Sequence, residues 1–314
     1  EKIYKFLMYK NSYKNLCKEF DISEVKGWNY ERARKEIDKS NIDNYIKDLC
    51  FRPFDIRKIF YAESLIDRHR GRIMKSLIDK GNLALITGRS TNKKNIVNHF
   101  LVTDCMAEIK SSESTKGSHV FPLKIKSDNK SADNELFAQD EYNFQTDFIE
   151  YINNKYSKKI HPELIFYYIY GLLNSRNYLR KYKEQLRLDF PKIYFRKKEK
   201  EFLRISELGK KLTQIQLKKN CSSENFFQGN DLKFIKKKYE VVNEKLFINE
   251  TSFFIVNNDT AKFEIGGYKI LEKYINSRED FLNESKSITE INSLIYRINE
   301  TVNIQKIIDD EFNF

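Results

Sequence analysis

The chain has 314 residues, with 57 Lys and Arg against 45 Asp and Glu, a formal charge of +12 and 14% aromatic residues. Its four scattered cysteines, Cys17, Cys50, Cys105 and Cys221, exclude a disulfide framework and a zinc cluster, which needs close ligand pairs, and point to the reducing cytoplasm. No uncharged apolar run approaches the ~20 residues that cross a bilayer, so no membrane is expected as a partner.

In chain order, Ile3, Phe6 and Leu7 recur at helical spacing, and a second helix is predicted over about 29–49. Apolar runs at 83–87, 97–102 and 120–125 predict short strands, with polar loops at 111–118 and 127–134. Pro162 suits a first helical turn, and the run Leu164–Leu173 is apolar nearly all round, which predicts a central buried helix. Its aromatic residues, Phe166 to Tyr170, are then core and not stacking surfaces. Two basic amphipathic helices follow, over about 178–188 and 199–217, the first stopped at Asp189-Phe190-Pro191 because proline disfavours helix before it. Residues 220–231 read as a loop. Runs at 241–242, 246–248, 253–256 and 263–265 predict short strands, Gly266-Gly267 a turn, and Tyr268 the start of a helix. Ile288, Ile291, Ile295, Ile298 and Val302, at alternating steps of three and four, predict a C-terminal amphipathic helix. The fold class is α+β: mixed helices and short, mainly antiparallel strands around one core, closed by that C-terminal helix.

Charge is uneven. Residues 176–219 hold fifteen Lys and Arg against five acids, 52–75 hold seven against three, and 277–314 hold four against eight. A concentrated positive field attracts a polyanion, nucleic acid or an anionic surface, and the acidic tail is expected to face away from it. Catalytic signatures are missing. No G-x-x-x-x-G-K-[ST] phosphate loop occurs, and no [DN]-P-P-[YF] loop for a flipped base is possible with four isolated prolines. Asp104 with Glu108-Ile109-Lys110 mimics a nuclease cluster at cramped spacing, and His69, His99, His119 and His161 are isolated from one another. These patterns lead to a basic α+β binding domain without a catalytic centre. Starting at Glu1 without a Met, the chain is expected to be a fragment of a longer protein.

Several stretches in order carry a resemblance: Phe51-Arg52-Pro53-Phe54-Asp55-Ile56-Arg57, Arg68-His69-Arg70, Val120-Phe121-Pro122-Leu123, Phe166 to Tyr182, Asp189-Phe190-Pro191-Lys192-Ile193, Leu208-Gly209-Lys210-Lys211-Leu212 and Ile265-Gly266-Gly267-Tyr268. Over about residues 28–278 the chain resembles the C-terminal specificity domain of type ISP restriction-modification enzymes, which combine nuclease, translocase, adenine methyltransferase and target recognition. At Arg68-His69-Arg70 it departs from the family's frequent Arg-Pro-Arg. The resemblance implies sequence-specific recognition of duplex DNA and presentation of an adenine to an upstream methyltransferase domain of the same chain. It further implies no cofactor in this fragment: S-adenosylmethionine, ATP and Mg belong to upstream domains. Residues 1–48 are then a helical connector or the end of the methyltransferase. Residues 49–283 form the specificity domain, and 284–314 a helix packing on either one.

Arginine matches guanine O6 and N7, Asn matches adenine, and Lys mostly meets phosphate. Arg68, Arg70, Arg72, Arg89 and Asn92 are therefore the candidate base contacts, with surface ion pairs or phosphate contacts the alternative for each. Lys93, Lys94, Lys192, Arg196, Lys197, Lys198 and Lys200 are the candidate phosphate contacts. Arg52 and Arg57, embedded among aromatics, are expected to pair with Asp55 or to hold the interface to the methyltransferase. Two other functions stay open: a fragment completing a methyltransferase or nuclease site, and an RNA-binding or acidic-partner module.

Overall fold

The structure, a computed structural model, describes residues 2–9, 12–21, 35–66, 69–78, 81–126, 140–218, 224–230, 241–278 and 285–312. Short helices α1 (Lys2–Met8) and α2 (Tyr13–Glu19) precede a 3-10 segment, Lys39–Tyr45. Next come β1 (Ile46–Arg52), β2 (Asp55–Phe60), the one-turn helix α3 (Gly71–Lys75), β3 (Ala84–Gly88), β4 (Phe100–Thr103), β5 (Met106–Ala107), β6 (Ser118–Pro122), β7 (Lys124–Lys126) and β8 (Asp140–Tyr142). The helical part holds α4 (Thr146–Tyr156), α5 (Pro162–Leu173), α6 (Arg176–Lys181), α7 (Lys183–Leu188) and α8 (Glu199–Gln216). Strands β9 (Phe227–Gln228), β10 (Val241–Val242), β11 (Lys245–Phe247) and β12 (Phe253–Ile255) lead to α9 (Asn258–Ala261), β13 (Glu264–Ile265), β14 (Tyr268–Lys269), α10 (Ile270–Asn276) and α11 (Ser285–Glu311).

The class is the expected α+β. Among the described strands every pairing is antiparallel except that of β1 with β5. The sheet β4-β3-β6 divides the core in two. All four residues of β4 are buried, and side chains of successive strand residues point to opposite faces. Phe100 and Val102 enter a helical core with α4, α5 and α8, whereas Leu101 joins Ile86 in a second core with β11, β12 and α10. Helix α11 seals both, placing Ile291, Leu294, Ile295 and Ile298 in the second and Ile304, Ile308 and Phe312 in the first.

Helices α5 and α8 cross at their glycines. A Cβ on Gly209 would lie 1.9 Å from the Tyr167 carbonyl oxygen, and one on Gly171 2.7 Å from that of Ile205. Only hydrogens fit there, so the two backbones touch and the flanking Tyr168, Ile205, Leu208 and Leu212 are fully buried.

Several expected elements differ: Phe227–Gln228 form β9 inside the expected loop 220–231, Tyr268 lies in β14 so that the helix begins at Ile270, and the expected loop 127–134 lies outside the described residues. The helix over 29–49 is instead the 3-10 segment followed by β1, with 29–34 outside the described residues; Ile42, Tyr45 and Leu49 fit helical spacing, but the strand alternation of 46–52 prevails. The helix over 178–188 is two helices broken at Tyr182, whose φ of −104° and ψ of 18° are not helical. The strand over 120–125 is interrupted at Leu123, where the chain passes between sheets: its N–H bonds the Leu83 carbonyl in register with β3 at 2.7 Å, while its carbonyl accepts the Asn143 N–H beside β8 at 2.8 Å. Among the described residues no helix is long and apolar enough to cross a membrane.

Candidate nucleic-acid interface

The hairpin β1–β2, the segment around α3, and β6 enclose a cleft of about 820 Å³. Its floor is apolar, formed by Leu49, Ile59, Met106 and Val120, and its rim carries His69, Arg70, Arg89, Lys116 and His119. Two of the predicted base contacts therefore meet at one opening although nineteen residues separate them. Arg70 reaches it from the turn before α3, where its φ of 51° is left-handed and its carbonyl accepts the Ile73 N–H at 3.0 Å. Arg89 reaches it because β3 ends at Gly88, paired with Ser118 of β6, and the chain leaves the sheet there. Arg72 lies on α3; Arg68 lies outside the described residues.

The loop after β3 is braced from a distance. Arg89 Nε donates to Asp189 Oδ1 at 2.8 Å, the Thr91 N–H to the Arg187 carbonyl at 3.3 Å, and Lys183 Nζ to Asn95 Oδ1 at 2.9 Å. The hydrogen bond from Arg89, joined by that from the Phe190 N–H, holds the Asp189 carboxyl below the usual carboxylate range. Phe190 sets its ring edge-on to His119 and Phe121 of β6, at 5.1 and 5.7 Å. Asn92 and Lys94 stand exposed on this loop, and Lys93 is half-buried. The neighbouring loop is fixed by Glu113, fully buried, which accepts from the hydroxyls of Thr91 (3.0 Å) and Thr115 (2.9 Å) and the N–H groups of Thr115 (2.6 Å) and Lys116.

The segment after Pro191 has no regular structure, yet it is clamped. Tyr178, Tyr168 and Tyr156 donate their hydroxyls to the carbonyls of Lys192 (2.6 Å), Tyr194 (2.7 Å) and Arg196 (2.8 Å). Burial pushes the Tyr156 hydroxyl up to about 12 and raises the other two as well, so all three stay protonated donors. Every second carbonyl faces the core, and Lys192, Lys197 and Lys200 are left exposed, with no ion pair among the described residues. Arg196 differs, its guanidinium held by Glu201 at 2.7 Å, and Lys198 stands 3.8 Å from the same carboxylate.

Asp189, Phe190 and the tyrosine clamp escaped the sequence reading. In the sequence Asp189-Phe190-Pro191 marked a helix stop and one stretch of the family resemblance but none of these contacts, since its partners lie some 70 to 100 residues away. Most of the acidic segment forms α11. It packs on the basic helices: Glu311 binds Arg204, Glu290 binds Lys218 at 2.7 Å, and Asp309 accepts from the Ser175 hydroxyl and the Asn177 N–H. Arg204 and Lys218 are therefore met by acids of α11, because burying the α11 stripe against α8 brings those acids alongside.

Arg57 pairs with Asp55 at 2.8 Å, one of the two expectations for it, while Arg52 binds Glu108. Glu108 also accepts the Lys110 N–H at 2.7 Å. Among the described residues no three His, Cys, Asp or Glu side chains converge to hold a metal ion.

The model of the Type ISP C-terminal specificity domain family matches residues 3–306. No curated protein matches the chain. Among solved structures, the chain is similar to the ATP-dependent Type ISP restriction-modification enzyme LlaBIII bound to DNA, with a TM-score of 0.72 and 20% identity over 96% of this chain and 21% of that one. A DrdV–DNA complex gives 0.70 and 16% over 98% and 32%. A nuclease-deletion mutant of the Type ISP enzyme LlaGI with a DNA substrate mimic gives 0.63 and 15% over 90% and 26%. At these identities the likeness is one of fold, and the chain spans between a fifth and a third of those proteins' length.

Proposed function

Since the chain belongs to the family of Type ISP C-terminal specificity domains, we propose that it recognises a short sequence in duplex DNA and presents an adenine to a methyltransferase domain of the same longer protein. That parent would be a restriction-modification enzyme acting in the cytoplasm, with S-adenosylmethionine, ATP and Mg used by its other domains and none by this one. The observation that carries the reading is the convergence of Arg70 and Arg89 on one cleft. An arginine fork matches the paired acceptors of guanine in the major groove. In this reading Arg70, Arg89 and Asn92 meet bases, joined by Arg72 of α3, with Arg68 a candidate from the sequence alone. Lys93, Lys94, Lys192, Lys197, Lys198 and Lys200 meet phosphates, and Arg196, already bound to Glu201, contributes least. Recognition of single-stranded RNA would need aromatic faces for splayed bases; Phe166, Tyr168 and Tyr170 are buried, whereas Phe121 and Tyr194 are exposed, so binding to RNA is the competing outcome of the test.

The test is fluorescence anisotropy with random-sequence duplex DNA, single-stranded RNA and an acidic peptide over a series of salt concentrations. Duplex preference with affinity falling linearly in log salt supports the reading; tighter binding to the RNA or the peptide overturns it.

A further inference from the structure

We infer that Asp189 is a positioning residue that makes Arg89 a reader of bases and a poor contact for phosphate. The inference rests on reading the cleft as a DNA interface. Arg89 uses only Nε toward Asp189, and its two Nη groups make no hydrogen bond among the described residues. Those are the nitrogens that a bidentate contact to guanine O6 and N7 requires. A long exposed side chain loses rotamer freedom when it docks. Held at Nε, Arg89 has given up much of that freedom beforehand, which raises the affinity of a correct contact.

Asp189 is fixed in turn. The same Oδ1 accepts the Phe190 N–H at 2.9 Å, and the Phe190 ring is seated on His119 and Phe121. Yet the Arg89 and Asp189 side chains are 63% and 60% exposed, and so exposed a pair adds little to folding. Its consequence is electrostatic. A carboxylate beside the guanidinium repels an approaching phosphate but not the neutral edge of a base, which is specificity gained by a repulsive element.

The experiment selects duplexes from a pool with a randomised core, using the full chain and its Arg89→Ala, Asp189→Ala and Asp189→Asn variants, with thermal unfolding as a check on folding. Wild type enriches a motif. Arg89→Ala and Asp189→Ala both lose the same single G·C position by about tenfold or more and keep the others, while Asp189→Ala binds random duplex several-fold more tightly. Asp189→Asn, which keeps the acceptor without its charge, falls between. A merely structural role would weaken every position and random binding together. Retention of that position by Asp189→Ala, or an even loss across the motif, overturns the inference while leaving DNA recognition standing. A wild-type chain that enriches nothing overturns the DNA reading, and the inference with it.

Discussion

Arg204 of α8 donates Nε and Nη2 to the two carboxylate oxygens of Glu311 near the end of α11, at 2.8 and 2.6 Å. With Glu207 on Nη1 at 2.9 Å, three of this guanidinium's five N–H donors go to carboxylates, and its charge is met by two acids before any polyanion approaches. The basic run of 176–219 thus divides into cations that dock α11, cations paired with acids of the run itself such as Arg196 with Glu201 and Lys211 with Glu207, and exposed lysines. Arg204→Ala should leave the salt dependence of DNA binding unchanged and cost less than about 1 kcal/mol of stability, as partly exposed pairs do. Replacing Lys192, Lys197 and Lys200 together by Ala should reduce the slope of log affinity against log salt by up to about 3, close to one unit per phosphate contact. Anisotropy titrations across salt separate the two; equal slopes for both variants would remove these lysines from the interface.

The R-P-F-D-x-R run acts through Asp55. It is 3% exposed and accepts from Arg57, Nε at 3.0 and Nη2 at 2.8 Å, and from Arg278 beyond α10, while Arg57 also reaches the Ser277 hydroxyl at 2.9 Å. The hairpin and the segment after α10 therefore share one buried carboxylate. Asp55→Ala removes the counter-charge from two half-buried guanidiniums and should cost about 3–5 kcal/mol, read as a lower urea midpoint. The base preference of the protein that remains folded should not change, and a selective loss at one base pair would instead place Arg57 in the interface.

What the sequence made legible follows how local each signal is. The apolar run of α5 and the alternating three-and-four steps of α11 need only their own residues, and both helices fall where expected. The Pro191 stop is equally local. The brace between Arg89 and Asp189 spans a hundred residues, and the tyrosine hydroxyls end on backbone carbonyls that have no letter in the sequence. Charge counting located the basic run but not its partners, because which acids face it depends on how α11 lies across α8.

Gly209 tests the crossing of α5 and α8. Its added Cβ would stand 1.9 Å from the Tyr167 carbonyl oxygen, and backbone cannot swing aside as a flexible side chain does. Gly209→Ala must push the two helices apart and lose contacts across the Tyr168 and Phe202 stack, whose rings lie 5.0 Å apart. A loss of about 3 kcal/mol or more is expected, at the upper end of overpacking penalties. Because Tyr168 also grips the Tyr194 carbonyl, hydrogen exchange should rise in residues 192–198 ahead of the rest of the domain. A stability within 0.5 kcal/mol of wild type, roughly the range of surface changes, would show that the crossing has room.

His99 gives the stability a pH dependence of known sign. It is fully buried behind the end of β3, its ring 4.8 Å from that of Phe100. Burial lowers its pKa to about 4, against an opposing pull from Glu113. In the unfolded chain an imidazole titrates near 6.5. Between those values the unfolded state binds the proton and the folded state does not, so stability is complete above about pH 6.5 and declines as pH falls toward 4. The full decline is roughly 3 kcal/mol at 1.36 kcal/mol per pKa unit. His99→Phe keeps the aromatic contact without a titrating group and should flatten this part of the profile, leaving the decline that other groups produce in both chains. Urea midpoints at pH 7 and pH 5 provide the measurement. A variant whose midpoint falls as steeply as that of the wild type would show that His99 is not the group responsible.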